Sequence, residues 1–356
     1  MKKFSTQFPK TFKLLNDATG DVFPAYSVGV YFNDEEYYDS KNCSITSLFD
    51  LASLTKVLCT TTLYAMAEEK ALISIEEPIK NFFPTFKEKN VKLSHLLDHS
   101  SGFPAWLPLH ELFHDPNGRG KFNPREVPKL ARKIFEEEIL KSWIPADFEK
   151  KVTYSDLGLM LAGWALEKKL KTPLDALFQE WIAIPGELES LQFLPTTPDV
   201  LPTEMCQWRG RLLRGEAHDD NCYVLGGIAA HAGLFGNVED VVGACLLWLA
   251  ALHGEQTLII PGTAHKYWTF THIPHSVRSL GWDGISKENS STGDKFSKNS
   301  KGHLGYTGTS VWIDPDKNLI VALLTNRVSP TRTNEKIKTF RPLFNNTLLE
   351  ELGFGS

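Results

Sequence analysis

Three short stretches of this sequence carry groups suited to acyl chemistry. Ser53-Leu54-Thr55-Lys56 is the sole Ser-x-x-Lys in the chain, and it falls where Leu51-Ala52 gives way to the helix-compatible run Val57 to Glu69. On a helix, residues i and i+3 share a face, so the Lys56 amine reaches the Ser53 hydroxyl, while the helix N-terminus favours negative charge developing nearby. The chemistry implied is a serine made nucleophilic by lysine. Alone the pattern is weak: about one match arises by chance in a chain of this size, and a serine N-cap followed by a solvated lysine reads the same way. The second stretch is Tyr154-Ser155-Asp156, before the helical run Leu157 to Leu166. The third is Gly302-His303-Leu304-Gly305-Tyr306-Thr307-Gly308-Thr309, before a strand at Ser310 to Ile313.

In this order and spacing the three resemble the Ser-x-x-Lys, Tyr-x-Asn and Lys-Thr-Gly elements of the serine β-lactamase and penicillin-binding protein superfamily. Leu93-Ser94-His95-Leu96-Leu97-Asp98-His99-Ser100-Ser101-Gly102-Phe103-Pro104 is similar to the Leu-Leu-x-His-x-Ser-Gly stretch of its class C β-lactamase-like branch. Glu204 to Gly236 and Leu324 to Arg332 resemble a narrower bacterial subfamily. That subfamily includes low-activity penicillin-binding proteins and an N-acetylmuramoyl-L-alanine amidase of cell-wall recycling. The resemblance covers roughly residues 20 to 350. It implies that Ser53 attacks an amide or ester carbonyl and forms an acyl-enzyme, with Lys56 and Tyr154 sharing the roles of general base and acid. It further implies an oxyanion hole from the backbone N–H groups of Ser53 and Tyr306, made accessible by Gly305 and Gly308.

The departures from the family pattern shape the expected substrate contacts, for which Asp156, His303, Gly305, His218, Asn221 and Arg327 are the candidates. Asp156 stands where the family has asparagine, and a carboxylate cannot donate an amide N–H. Its expected role is to hold Lys56 charged, so that the cation lowers the pKa of Tyr154. His303 and Leu304 replace Lys and Thr, removing a permanent charge and a hydroxyl that help relatives hold a substrate carboxylate, so efficient β-lactam hydrolysis is not expected. His303 is expected to titrate near neutrality. For His218, Asp219 and Asn221 two readings stand, a loop that binds substrate at the cleft or a buried polar turn. Arg327 reads as a receptor for a peptide carboxylate or as half of a structural ion pair. His218, His231 and His303 lack tight ligand spacing, so neither a metal nor any other cofactor is expected. Trp106, Trp208 and Trp282 are candidates for a sugar-stacking wall.

The elements that must position these groups are legible in outline. Tyr26 to Phe32 and Glu35 to Tyr38 around Asn33-Asp34 read as a hairpin, and Thr309 to Ile313 and Leu319 to Thr325 as two more strands around a turn. Helical patterns run over Arg125 to Lys141, Leu157 to Lys169, Glu239 to Leu252 and Asn334 to Leu352, and the polar stretch Lys287 to Lys301 reads as a surface loop. The expected fold is α/β (α+β): an antiparallel sheet flanked by helices and built from both chain ends, with a mainly helical region inserted. The boundaries drawn are 1–70 with 235–356 for the sheet domain and 71–234 for the helical one, the active site lying in the cleft between them.

Composition narrows the partners. The 356 residues include 42% hydrophobic types, enough for a large core, and Lys+Arg 38 against Asp+Glu 43 gives a net charge of -5 with no basic stripe to track a phosphate backbone. A small molecule is the expected partner, with no nucleic acid and no membrane insertion, and the sequence carries no signal for oligomeric state. Met1 to Lys10 begins basic without the apolar run of an export signal, and the longest later apolar stretch, Val241 to Leu252, is too short to span a bilayer. Cys43, Cys59, Cys206, Cys222 and Cys245 contain no Cys-x-x-Cys pair and read as free thiols, so a cytoplasmic location is expected. The leading functional expectation is a serine hydrolase acting on a cell-wall-derived muropeptide. A carboxylesterase of the same fold and a catalytically silent binding module are the alternatives.

Overall fold

A computed structural model describes residues 3–113, 127–274, 276–288 and 290–355. Its strands are β1 (Tyr26–Phe32), β2 (Glu35–Lys41), β3 (Phe49–Asp50), β4 (Gln192–Phe193), β5 (Met205–Cys206), β6 (Arg211–Leu212), β7 (Leu234–Gly236), β8 (Asp283–Gly284), β9 (Lys301–Leu304), β10 (Ser310–Asp314) and β11 (Leu319–Thr325). Six of them form one antiparallel sheet in the order β2-β1-β11-β10-β9-β8. The two chain ends meet in its middle, with Tyr26 opposite Thr325 and Phe32 opposite Leu319. β3, β7 and β4 form a second small sheet, and β5 pairs with β6.

Period-two alternation sends the central strands' side chains into two separate cores. Trp312, Leu319, Val321 and Leu323 join Val28 and Val30 under the N-terminal helices Phe4–Gln7 and Pro9–Ala18 and the C-terminal helix Ile337–Glu351. Val311, Ile313, Ile320, Ala322 and Leu324 face the helix Val238–Leu252 and the large core of the inserted helical region. Gly29 allows that helix to come close, because a Cβ there would lie 2.8 Å from Val242 Cγ2 and from Tyr38 Cε1. Three expected helices are found as Asp156–Leu170, Val238–Leu252 and Ile337–Glu351. The fourth is Val127–Lys141, while Arg125 and Glu126 lie outside the described residues. Among the described residues, no helix is long and apolar enough to cross a membrane.

The expected surface loop from Lys287 to Lys301 needs correction. Phe296 joins the core, Thr292 and Ser300 are buried, and Lys301 is already the first residue of β9. Lys301 is fully buried, with its Nζ 3.2 Å from the centroid of the Phe270 ring and without a hydrogen-bond partner. Burial drives its pKa down to about 7 against the opposing pull of Asp283. A lysine is ordinarily near 10.4, so the unfolded chain binds more protons between those values and stability rises with pH across that window. Lys301→Met is therefore expected to stabilise the protein at pH 7 by on the order of a few kcal/mol, and the advantage should shrink toward pH 10. Denaturant titrations of both proteins at the two pH values check this. An advantage that is absent or independent of pH counts against it.

Candidate active site

The segment from β3 into the Ser53 turn is held from several sides. Asp50 is buried, and its carboxylate accepts the Ala52 N–H at 2.8 Å and the His218 N–H at 2.7 Å. Ala52 takes a left-handed φ of 47° just before Ser53. The helix that follows opens with a π-helical stretch, Lys56–Thr61, and continues as Thr62–Glu69. From the other side, Thr307 Oγ1 donates to Asp50 O at 2.7 Å and Thr309 Oγ1 to Leu51 O at 3.1 Å. This docking brings the turn after β9 against the Ser53 segment. Among the described residues, neither the Ser53 N–H nor the Tyr306 N–H donates to a protein acceptor. Both sequence-identified oxyanion donors are thus free.

Lys56 is fully buried, and its Nζ meets Ser53 Oγ at 2.8 Å, the His231 carbonyl at 2.9 Å and Asp156 Oδ1 at 2.7 Å. Two hydrogen bonds donated by Nζ and an ion pair with a carboxylate suit an ammonium. Burial pushes its pKa down, but the Asp156 carboxylate and the Tyr154 phenol outweigh burial and hold it above the ordinary lysine value. Tyr154 lies within hydrogen-bonding reach of Ser53 and Lys56. Here the expectation is corrected: Lys56 does pull the phenol pKa down, but burial raises it more strongly and Asp156 adds to the rise. A carboxylate that holds Lys56 charged also opposes ionisation of the neighbouring phenol.

Asp156 opens the helix Asp156–Leu170, whose N-cap Ser155 accepts the Gly158 N–H at 3.0 Å, so the carboxylate sits at the favourable end of the helix dipole. The Leu93 to Pro104 stretch holds this motif in place. His99 Nδ1 accepts the Ser155 N–H at 3.0 Å, Pro104 O accepts the Ser155 hydroxyl at 2.6 Å, and Ala105 O accepts the Asp156 N–H at 2.9 Å.

A cleft of about 640 Å³ opens over these groups, lined by Ser53, Tyr154, Asp156, His218, His303 and Tyr306 among others. His303 is buried rather than titrating near neutrality: burial and the Lys56 and Arg278 cations hold its pKa well below the ordinary value. His218 lines the cleft with its ring stacked on Tyr306 and its Nε2 3.0 Å from Glu204. Partial burial would raise the Glu204 pKa, but hydrogen bonds from His218 and Arg332 hold it down to about 2. Gly305, expected to contact substrate, has its own N–H and C=O occupied, donating to Thr309 O and accepting from Arg341 and Gly308.

Two other sequence candidates have their polar atoms engaged by the protein itself. Asn221 accepts the His110 N–H and donates to Leu107 O, so it braces the loop as a buried polar turn. Arg327 lines the cleft without forming an ion pair: its guanidinium donates to the carbonyls of Tyr306, Arg332 and Asn334. Of the three tryptophans, Trp106 is exposed at the cleft, Trp282 is fully buried, and Trp208 packs against His110 and Tyr223. Arg278, Asp283 and Arg341 line the cleft although no motif marked them. His99 was visible inside its motif, and its ring packs 4.9 Å from that of Tyr154. Among the described residues, no cluster of three or more His, Cys, Asp or Glu is arranged to hold a metal.

A two-ended antiparallel sheet, an inserted helical region and a Ser-Lys-Tyr cluster define a protein of the β-lactamase/transpeptidase fold. The chain belongs to the Beta-lactamase family, whose model matches residues 15–344, and it is a hydrolase of that fold. It is 28% identical over 314 residues to the N-acetylmuramyl-L-alanine amidase of Bacillus subtilis, a match covering 79% of this chain and 68% of the relative. Among solved structures it is similar to the octameric penicillin-binding protein homologue of Pyrococcus abyssi, at 20% identity and a TM-score of 0.74, over 97% of this chain and 77% of that one. It is also similar to EstCE1, a hydrolase with promiscuous acyltransferase activity, at 16% identity and a TM-score of 0.70, over 95% of this chain and 99% of that one. These two likenesses concern the fold.

Proposed function

We propose that this chain is a serine hydrolase that works through an acyl-enzyme on a cell-wall-derived muropeptide, at the muramyl-L-alanine amide or at a D-amino-acid peptide bond. The observation that supports it most is the placement of Lys56 Nζ 2.8 Å from Ser53 Oγ, beside Tyr154 and against Asp156. The amidase relative supports the substrate class, as do the exposed rings of Trp106 and Tyr306 at the cleft, which suit a sugar face.

Ser53 Oγ attacks the carbonyl carbon, and its proton passes to the Lys56–Tyr154 pair. With Lys56 an ammonium and Tyr154 a neutral phenol at rest, the pair accepts that proton only after losing one of its own. The developing oxyanion meets the free N–H groups of Ser53 and Tyr306. Tyr154 then protonates the leaving amine, and water releases the acyl group from Ser53.

This charge balance predicts a pH effect. Asp156 raises the pKa of both Lys56 and Tyr154, so Asp156→Asn lowers both. The acidic limb of kcat/KM is expected to move down by about 1–3 pH units. A pH profile with a p-nitrophenyl ester checks it, and a limb that stays in place rules out the proposed coupling.

The function is tested by incubating the protein and Ser53→Ala with a fluorophosphonate, mapping the adduct, and then screening muropeptides and esters. A stoichiometric adduct confined to Ser53, with release from muropeptides, is the expected result. Turnover of short esters alone favours a carboxylesterase. Muropeptide binding without turnover or adduct favours a silent binding module.

A further inference from the structure

We propose that the leaving group this site expels is an amine continuing into a neutral amide, rather than one ending in a free carboxylate. The inference rests on the muropeptide reading and selects within it: the muramyl-L-alanine amide or an internal peptide bond, not removal of a terminal residue.

The leaving amine must approach Tyr154, which supplies its proton. Around that phenol the cleft is lined by Asp156, Arg278, Asp283 and His303, with the Arg278 guanidinium 5.0 Å and the His303 ring 5.7 Å from the Tyr154 ring. Each cation here already has its anion. Arg278 Nη2 bonds Asp283 Oδ2 at 3.3 Å, and Lys56 pairs with Asp156 at 2.7 Å. His303 adds no charge, because burial beside the Lys56 and Arg278 cations keeps its ring neutral, and with Nδ1 donating to Leu304 O at 2.8 Å its Nε2 is left as a lone pair. The Asp156 side chain keeps 18% of its surface exposed, adding a negative wall. Arg327 and Arg341, which face carbonyls instead of carboxylates, clamp the Tyr306 turn on the oxyanion side.

Beside Tyr154, Asp156 Oδ1 and His99 Nε2 lack a hydrogen bond, and so do two cleft-lining nitrogens, Arg278 Nη1 and His303 Nε2. Of the latter two, one is a donor and the other an acceptor. An amide offers a carbonyl to the first and an N–H to the second, satisfying both. A carboxylate has acceptors only, so it would set an anion against the His303 lone pair and the Asp156 carboxylate, with the adjacent Arg278 already shared with Asp283.

The test compares N-acetylmuramyl-L-alaninamide with N-acetylmuramyl-L-alanine, which differ only in carboxamide against carboxylate. The amide is expected to have the higher kcat/KM by at least about tenfold, the size of one mispaired charged hydrogen bond. Asp283→Asn leaves Arg278 unbalanced and should shift the ratio toward the acid by about tenfold. His303→Lys, which adds a cation, should shift it the same way and serves if Asp283→Asn fails to fold. A general structural loss would depress both substrates alike. Equal or preferred turnover of the acid by the unaltered protein overturns the inference while the muropeptide reading stands. Turnover of neither substrate, with Ser53 still labelled by the fluorophosphonate, overturns that reading and the inference with it.

Discussion

Lys56→Met lowers kcat/KM by about 10²–10⁴, the range ascribed to a positioned general base. Lys56 is buried, donates to Ser53 Oγ and His231 O and pairs with the Asp156 carboxylate, which fixes its amine beside the nucleophile. Methionine matches its length without its charge. Asp156 then loses its counter-ion but keeps its place at a helix N-terminus with part of its surface in solvent, so the fold is expected to survive. Steady-state kinetics with a p-nitrophenyl ester, with circular dichroism as the folding control, measure the effect. A folded variant within about tenfold of the parent would mean that Tyr154 alone activates Ser53.

Gly305→Ala is expected to cost about 10²–10³ in kcat, the loss typical of one oxyanion donor. A Cβ at Gly305 would lie 1.9 Å from Thr309 Oγ1 and 2.7 Å from Leu51 O, nearer than real Cβ atoms come to their neighbours. Relief requires the turn after β9 to withdraw from the Ser53 segment, taking the Tyr306 N–H with it. The Arg341 bonds to Gly305 O and Thr309 O resist larger movement, so the damage should be local. The expected signature is a fall in kcat with a modest loss in Tm. An unchanged kcat would show that Tyr306 N–H does not serve the oxyanion.

Much of the sheet was legible because runs rich in β-branched, aromatic and apolar residues around turn residues mark strands locally. β1 and β11 could be assigned to one sheet although they lie at opposite ends of the chain. Ser53, Lys56 and Tyr154 were legible for a related reason, since i, i+3 spacing on a helix and family-like motifs are local signals. The polar stretch before β9 misled, because local polarity does not reveal that Phe296 and Lys301 are covered by distant segments.

The roles of the surrounding groups depended on partners far away in the chain. Asn221 and Arg327 have side chains suited to a ligand, yet the backbone carbonyls and N–H groups folded around them use those atoms. His303 was expected to titrate near neutrality, but a histidine's pKa follows burial and nearby charge, and Lys56 and Arg278 reach it only in the folded chain. Arg278 and Asp283 have no motif at all and matter through their place beside Tyr154. The sequence by itself marked which side chains have the chemistry to attack or to carry a proton and which neighbouring strands turn back on one another, because those depend on residue type and short spacing. The tertiary structure alone decided the charge each group holds and which polar atoms remain free, because solvation and Coulomb interaction depend on neighbours in space.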